Sequence, residues 1–115
     1  MKRGEVYWAD LVLRSGSEQT GRRPVVVVSH NGFNEVPTWR SIIIVPISTS
    51  TSQTKRGPTI VELGAESAGL SRRSFAICHQ VTTLDRAKLL RRIGTVAPHV
   101  LDEIQDGLKA AMDLD

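Results

Sequence analysis

Two uninterrupted apolar runs, Val25-Val26-Val27-Val28 and Ile42-Ile43-Ile44-Val45, the second extended by Pro46-Ile47, limit this chain more than any other feature. A half-exposed strand alternates apolar with polar residues, and these runs do not, so both read as strands covered on both faces. In a chain of 115 residues, strands covered in that way point to a small closed β-barrel. Neither run approaches the length of a membrane span, so a soluble protein with no membrane partner is expected. No linker interrupts the sequence, and residues 1–115 are expected to form a single domain.

The remaining elements follow from local chemistry. Glu5 to Leu11 is rich in strand formers and follows Gly4, which makes it a first strand. Further short strands are expected over Thr59 to Leu63, Ser74 to Ile77 and Arg92 to Val96. Asp85 is placed to cap a turn or two of helix running to Leu90. After Pro98, Leu101, Ile104, Leu108 and Ala111 or Met112 recur at spacings of three and four, which predicts one amphipathic terminal helix with Asp102 and Glu103 in its first turn. Its apolar stripe is expected on the barrel or at a subunit interface. The fold class is thus mainly β, a small barrel with a C-terminal helix.

The charge is uneven. Residues 1–98 carry 14 basic and 7 acidic side chains, net +7, whereas residues 99–115 carry 1 basic and 5 acidic, net −4. Arg22-Arg23, Lys55-Arg56, Arg72-Arg73 and Arg91-Arg92 lie in separate segments, and folding either gathers some of them into a phosphate-attracting field or leaves them as solvated surface. The one cysteine, Cys78, has no partner for an intramolecular disulfide and suits a small core position in a reducing cytoplasm. His30, His79 and His99 are dispersed and read as structural, and no metal-ligand spacing and no nucleotide-binding glycine motif is present, so no cofactor is expected.

A functional site is suggested by Gly16-Ser17-Glu18-Gln19-Thr20-Gly21-Arg22-Arg23-Pro24, a polar, glycine-flanked loop that delivers a carboxylate and two guanidiniums to the start of a buried strand. Pro24 fixes φ there and aims Arg23. If the strands containing Val25 and Ile44 form an antiparallel hairpin centred near Asn34-Glu35-Val36, Val25 faces Pro46 and Arg23 faces Ser48. A slip of one residue would substitute Thr49. Ser48 opens the hydroxyl-rich loop Ser48 to Thr54 and has the alternative role of capping it. Trp39, beside Pro37, is suited either to stacking on a base or packing against a partner protein or to tucking onto its own loop.

The loop motif, with Arg3-Gly4-Glu5-Val6-Tyr7-Trp8-Ala9-Asp10-Leu11 before it and Ile42 to Thr49 and His79-Gln80-Val81-Thr82-Thr83-Leu84-Asp85 after it, resembles the MazF/PemK toxin endoribonucleases of bacterial toxin–antitoxin systems. The resemblance covers nearly the whole chain. It implies an SH3-like barrel of the CcdB/MazF type, a cytoplasmic homodimer, single-stranded RNA as substrate, and an acidic cognate antitoxin as partner. It also implies Arg23 as catalytic arginine and Ser48, where the family usually has threonine, as catalytic hydroxyl. Glu18 is the candidate base, with an ion pair to Arg22 or Arg23 as its alternative role. Ser17, Gln19, Arg22, Thr49, Lys55 and Gln80 are the candidate RNA contacts, and a buried structural glutamine is the alternative for Gln80.

The implied reaction is metal-independent attack of the ribose 2′-OH on its own phosphate. It needs a proton acceptor, a donor for the leaving oxygen, and donors for the phosphorane oxygens. A guanidinium keeps its proton and matches phosphate with a fork, so Arg23 suits the last of these tasks. Two rival readings remain at this level: a CcdB-like gyrase poison of the same fold, and a non-catalytic RNA-binding relative.

Overall fold

The computed structural model describes residues 1–11, 21–50 and 57–115. Seven antiparallel strands form one sheet: β1 (Glu5–Leu11), β2 (Gly21–Val27), β3 (Ser41–Ser48), β4 (Ile60–Leu63), β5 (Ser74–Ile77), β6 (Thr82–Asp85) and β7 (Leu89–Thr95). The order is β4-β5-β3-β2-β1-β7, with β6 also paired to β3. A short helix α1 (Asn31–Asn34) lies in the β2–β3 connection, and α2 (Pro98–Met112) closes the chain. The fold is the mainly β barrel with a C-terminal helix expected from the sequence.

Val25, Val26 and Val27 of β2 and Ile44, Val45, Pro46 and Ile47 of β3 are buried, so these stretches are covered on both faces, whereas Ile43, 40% exposed, and the half-buried Val28 depart from the continuous burial expected of the two runs. Val26, Val45 and Ile47 enter one cluster with Val6, Ala76, Cys78, Ile104 and Leu108, while Val25, Val27, Ile42 and Ile44 enter a second with Ala9 and Leu11. Helix α2 therefore lays its stripe on the barrel, through Ile104 and Leu108, rather than leaving it for another subunit. Its first turn contains no acidic residue, because the helix already begins at Pro98 and Asp102 and Glu103 fall in the second turn. Cys78 is a core residue; burial pushes its thiol up to about 11, and Sγ lies 3.6 Å from the Ile104 carbonyl. Among the described residues no helix is long and apolar enough to cross a membrane.

Two prolines shape the central strands. Val28 N–H donates to Ile43 O at 2.9 Å, so by antiparallel alternation Val26 and Val45 form the next bonded pair and Val25 faces Pro46 across a non-bonded one. The following bonded position falls on Pro24, which has no N–H to give, and the recorded β2–β3 ladder stops at Val25 and Pro46. On its other edge, β3 pairs with β6 over Ser41 to Ile44 and with β5 at Ile47 and Ser48. Pro46 occupies the gap between them, spanned by the 3₁₀ turn Cys78–Gln80, where no ladder bond is demanded of it.

Close backbone packing brings the β4–β5 connection onto β7. A Cβ on Gly69, whose φ is +79°, would overlap the Ile93 carbonyl, and one on Gly94 would overlap the Ala68 carbonyl, so only glycine fits on both sides of this contact. The boundaries expected for β1 and β5 match the structure, whereas β2 begins four residues earlier, at Gly21, and ends at Val27. The segment expected to hold a helical turn is the 3₁₀ turn Arg86–Lys88, with the Asp85 carboxylate accepting from Ala87 N–H at 2.8 Å. Strand β6 and helix α1 had no periodic signal and were not anticipated; α1 is capped by His30 Nδ1, which accepts from Gly32 N–H at 2.7 Å.

Candidate active site

Arg23 lies on β2 opposite Ala9 of β1, and it shares the sheet face of Val25 and Val27, since side chains two apart project alike. Ser48, the last residue of β3, shares that face with Ile44 and Pro46. The β2–β3 register at Val25–Pro46 is the one expected; the ladder ends there, and only its continuation by two residues would set Arg23 across from Ser48. Arg23 is exposed and makes no side-chain hydrogen bond or ion pair with another described residue. The guanidinium thus stands at the strand end with its donors directed to solvent.

The Ser48 hydroxyl accepts from Ser50 N–H at 3.1 Å. This is the loop-capping contact weighed from sequence, and it uses one lone pair while leaving the O–H proton to be given elsewhere. Thr49 is exposed and on the opposite parity.

Arg22 is not brought to the same place. It pairs across from Asp10 of β1, on the reverse side of the sheet from Arg23. Gln80 is half-buried at the end of the 3₁₀ turn beside Pro46, outside the row that holds Arg23 and Ser48. Ser17, Glu18, Gln19 and Lys55, the remaining sequence candidates, lie outside the described residues.

Two clusters on the site face escaped the sequence reading. On β5, Phe75 is the direct partner of both Ser48 of β3 and Glu62 of β4, so one row crosses three strands as Ser48, Phe75 and Glu62. Arg73 joins it: its Nε and Nη2 donate to the two Glu62 carboxylate oxygens at 2.9 and 2.8 Å, and its Cζ stands 5.1 Å from the Phe75 ring centre. The Arg73 fork holds the Glu62 carboxyl below its ordinary range, and Glu62 raises the Arg73 guanidinium in turn. The available signal was the two-residue spacing of Arg73 and Phe75, legible only once the β4–β5 register is known.

The second cluster is built on Glu5, buried with its carboxylate accepting from Lys2 N–H at 2.7 Å, Tyr7 OH at 3.3 Å and Arg92 Nη1 at 2.9 Å. Burial works to raise the Glu5 pKa, but the Lys2 N–H, Arg92 and the chain's amino terminus together hold it below 4.5. Tyr7 is pushed above its usual value by burial and by the neighbouring Glu5.

The arginines of the basic pairs meet different fates among the described residues. Arg92 and Arg73 are spent on Glu5 and Glu62, while Arg22, Arg23, Arg72 and Arg91 form no ion pair among the described residues. Arg86 is structural: it donates to the Trp39, Asn34 and Val36 carbonyls at 2.8, 2.9 and 2.9 Å and holds the α1 loop against β6. Trp39 tucks onto its own loop, stacked on Phe33 with ring centres 4.7 Å apart and its indole N–H on Ser41 O at 2.7 Å.

Comparison with known proteins agrees with this geometry. Residues 2–112 match the model of the PemK-like, MazF-like toxins of type II toxin–antitoxin systems. The chain belongs to this family. It is 35% identical to endoribonuclease EndoA of Bacillus subtilis over 114 residues, covering 99% of this chain and 96% of that protein. Endoribonuclease MazF9 of Mycobacterium tuberculosis is 35% identical over 117 residues, with 99% and 98% covered. A mycobacterial endoribonuclease solved in complex with its cognate antitoxin superimposes with a TM-score of 0.80 at 25% identity, covering 100% of this chain and 97% of that one. The barrel of this PemK/MazF-like toxin is thus the family's own.

Proposed function

We propose that this PemK/MazF-like toxin is an endoribonuclease that cleaves single-stranded RNA with a sequence preference and without a metal ion. The observation that supports this reading is the β2–β3 register at Val25–Pro46, whose continuation by two residues would bring Arg23 and Ser48, which share a sheet face by parity, across from each other. In the reaction, the 2′-oxygen bonds to phosphorus, the bond to the 5′-oxygen breaks, the 2′-OH proton leaves to a base, and the 5′-oxygen gains a proton. The products are a 2′,3′-cyclic phosphate and a 5′-OH.

Arg23 donates to the phosphorane oxygens, where charge develops. Ser48 gives its O–H to the same phosphate while Ser50 N–H orients its oxygen. Glu18 takes the 2′-OH proton or, in its alternative role, organises the loop. Ser17, Gln19, Thr49, Lys55 and Gln80 contact the RNA strand, and Arg22 adds attraction for phosphate from the reverse face.

Residues 1–115 work as one toxin domain, as a homodimer in the bacterial cytoplasm, restrained by an acidic cognate antitoxin. The complex solved for the mycobacterial relative supports an antitoxin partner, and the net charge of +7 over residues 1–98 suits an acidic one. The test is cleavage of defined single-stranded RNA in EDTA, with the new ends analysed. A 5′-OH and a cyclic phosphate are expected, and a single 2′-deoxyribose at the cleaved position should abolish the cut. Loss of activity in EDTA, or efficient cleavage of the deoxy substrate, would refute the mechanism.

A further inference from the structure

We infer that Arg73 is a stacking platform for one base of the RNA, next to the cleaved phosphate, and thereby contributes to the sequence preference of the site. The inference rests on the endoribonuclease reading above and deepens it. Ser48 and Phe75 are direct partners on neighbouring strands, about 5 Å apart at the backbone, so anything lying over Phe75 lies beside the catalytic hydroxyl. What lies over Phe75 is the Arg73 guanidinium.

Three features distinguish this guanidinium from an ordinary surface charge. Its lower side is occupied by the Phe75 ring, which is only 2% exposed and so has no face left for a ligand of its own. Its edge is fixed by both Glu62 oxygens, at 2.8 and 2.9 Å. Its outer side remains open, the side chain being 52% exposed. An exposed ion pair alone contributes little to stability and does not require a long side chain to be held in one place. An anchored guanidinium with an aromatic ring beneath it and solvent above is a surface on which a nucleobase stacks.

The same geometry argues against a phosphate clamp. A bidentate carboxylate already balances the Arg73 charge and occupies two of its donors, and the phosphate-binding role beside Ser48 is filled by Arg23. What Arg73 offers is its face. Stacking of one base on such a surface is worth roughly 5- to 100-fold in affinity.

The experiment measures cleavage kinetics of wild-type protein, Arg73→Ala and Arg73→Lys on one RNA and on variants in which each nucleotide flanking the cut is replaced, singly, by an abasic one. On intact RNA, Arg73→Ala should raise KM by on the order of 10-fold with kcat changed little. Arg73→Lys should behave the same way, since an ammonium keeps the charge without the plane. At one flanking position the abasic substrate should impair the wild-type protein and erase the difference between it and both variants. A loss undiminished at every abasic position, or full retention of activity by Arg73→Lys, would overturn the platform. Melting curves matching wild type establish that the variants fold; should Arg73→Ala fail to fold, Arg73→Lys and the wild-type abasic scan decide between the same outcomes. If the wild-type protein cleaves no RNA, the endoribonuclease reading fails, whereas cleavage without coupling at any position removes the platform alone.

Discussion

Replacing Arg86 with alanine should destabilise the protein by about 2–3 kcal/mol, because the side chain holds the α1 loop through backbone carbonyls. Three of its bonds are short, to Trp39 O at 2.8 Å and to Asn34 O and Val36 O at 2.9 Å each, while the fourth, to Phe33 O, is long at 3.4 Å. Hydrogen bonds from a charged donor contribute about 1.5 kcal/mol each at the lower end of their range, which suits carbonyls that water can reach once the arginine is gone. Fixing an arginine costs about 2 kcal/mol of rotamer freedom, which leaves the net figure above. For a domain of this size that lowers Tm by roughly 10 °C. Arg86→Lys should lose more than half as much, since one ammonium cannot serve carbonyls spread over residues 34 to 39. Thermal denaturation followed by circular dichroism measures the loss, and amide exchange at Trp39, whose N–H donates to Val36 O at 3.0 Å, should accelerate alongside it. A change under about 0.5 kcal/mol in Arg86→Ala, the scatter of ordinary surface substitutions, would refute the account of Arg86 as the anchor of this loop.

Arg23→Ala should lower kcat severely, and Arg22→Ala, on the reverse face, should chiefly weaken RNA affinity and flatten its salt dependence; matching kinetic profiles would remove that division. Ser48→Ala should cost on the order of 10²-fold in rate, as loss of one oxyanion donor does, while Thr49→Ala should cost far less. The opposite ranking would place the catalytic hydroxyl at Thr49. The Glu5 pKa is lower in the folded state than when unfolded, so its stabilisation is complete above about pH 4.5 and is lost as pH falls through the lower folded value. Glu5→Gln should therefore flatten the acid limb of the stability curve, and an unchanged limb would argue against the Lys2 and Arg92 contacts. Gly94→Ala should destabilise by several kcal/mol, because its Cβ meets the Ala68 carbonyl, which belongs to backbone and cannot swing aside; a neutral result in calorimetry would show that the β4–β5 connection yields easily.

The sequence determined what is local or periodic. Unbroken apolar runs are themselves the statement that the Val25 to Val27 and Ile44 to Ile47 stretches of β2 and β3 are covered on both faces, though Ile43 is exposed, and the spacing of Ile104 and Leu108 is itself the statement that α2 has one buried side. The β2–β3 register was also legible as far as Val25 and Pro46, because a hairpin pairs residues by counting outward from its turn. What only the tertiary structure decided is which strands lie beside one another when they are distant in sequence. Ser48 meets Phe75, and Phe75 meets Glu62, through pairings of β3, β5 and β4 that no local pattern encodes. The fate of each arginine was undetermined for the same reason. A guanidinium carries the same charge wherever it stands, and only the fold separates Arg86, spent on backbone carbonyls, from Arg73, laid over an aromatic ring, and Arg23, turned to solvent at the site.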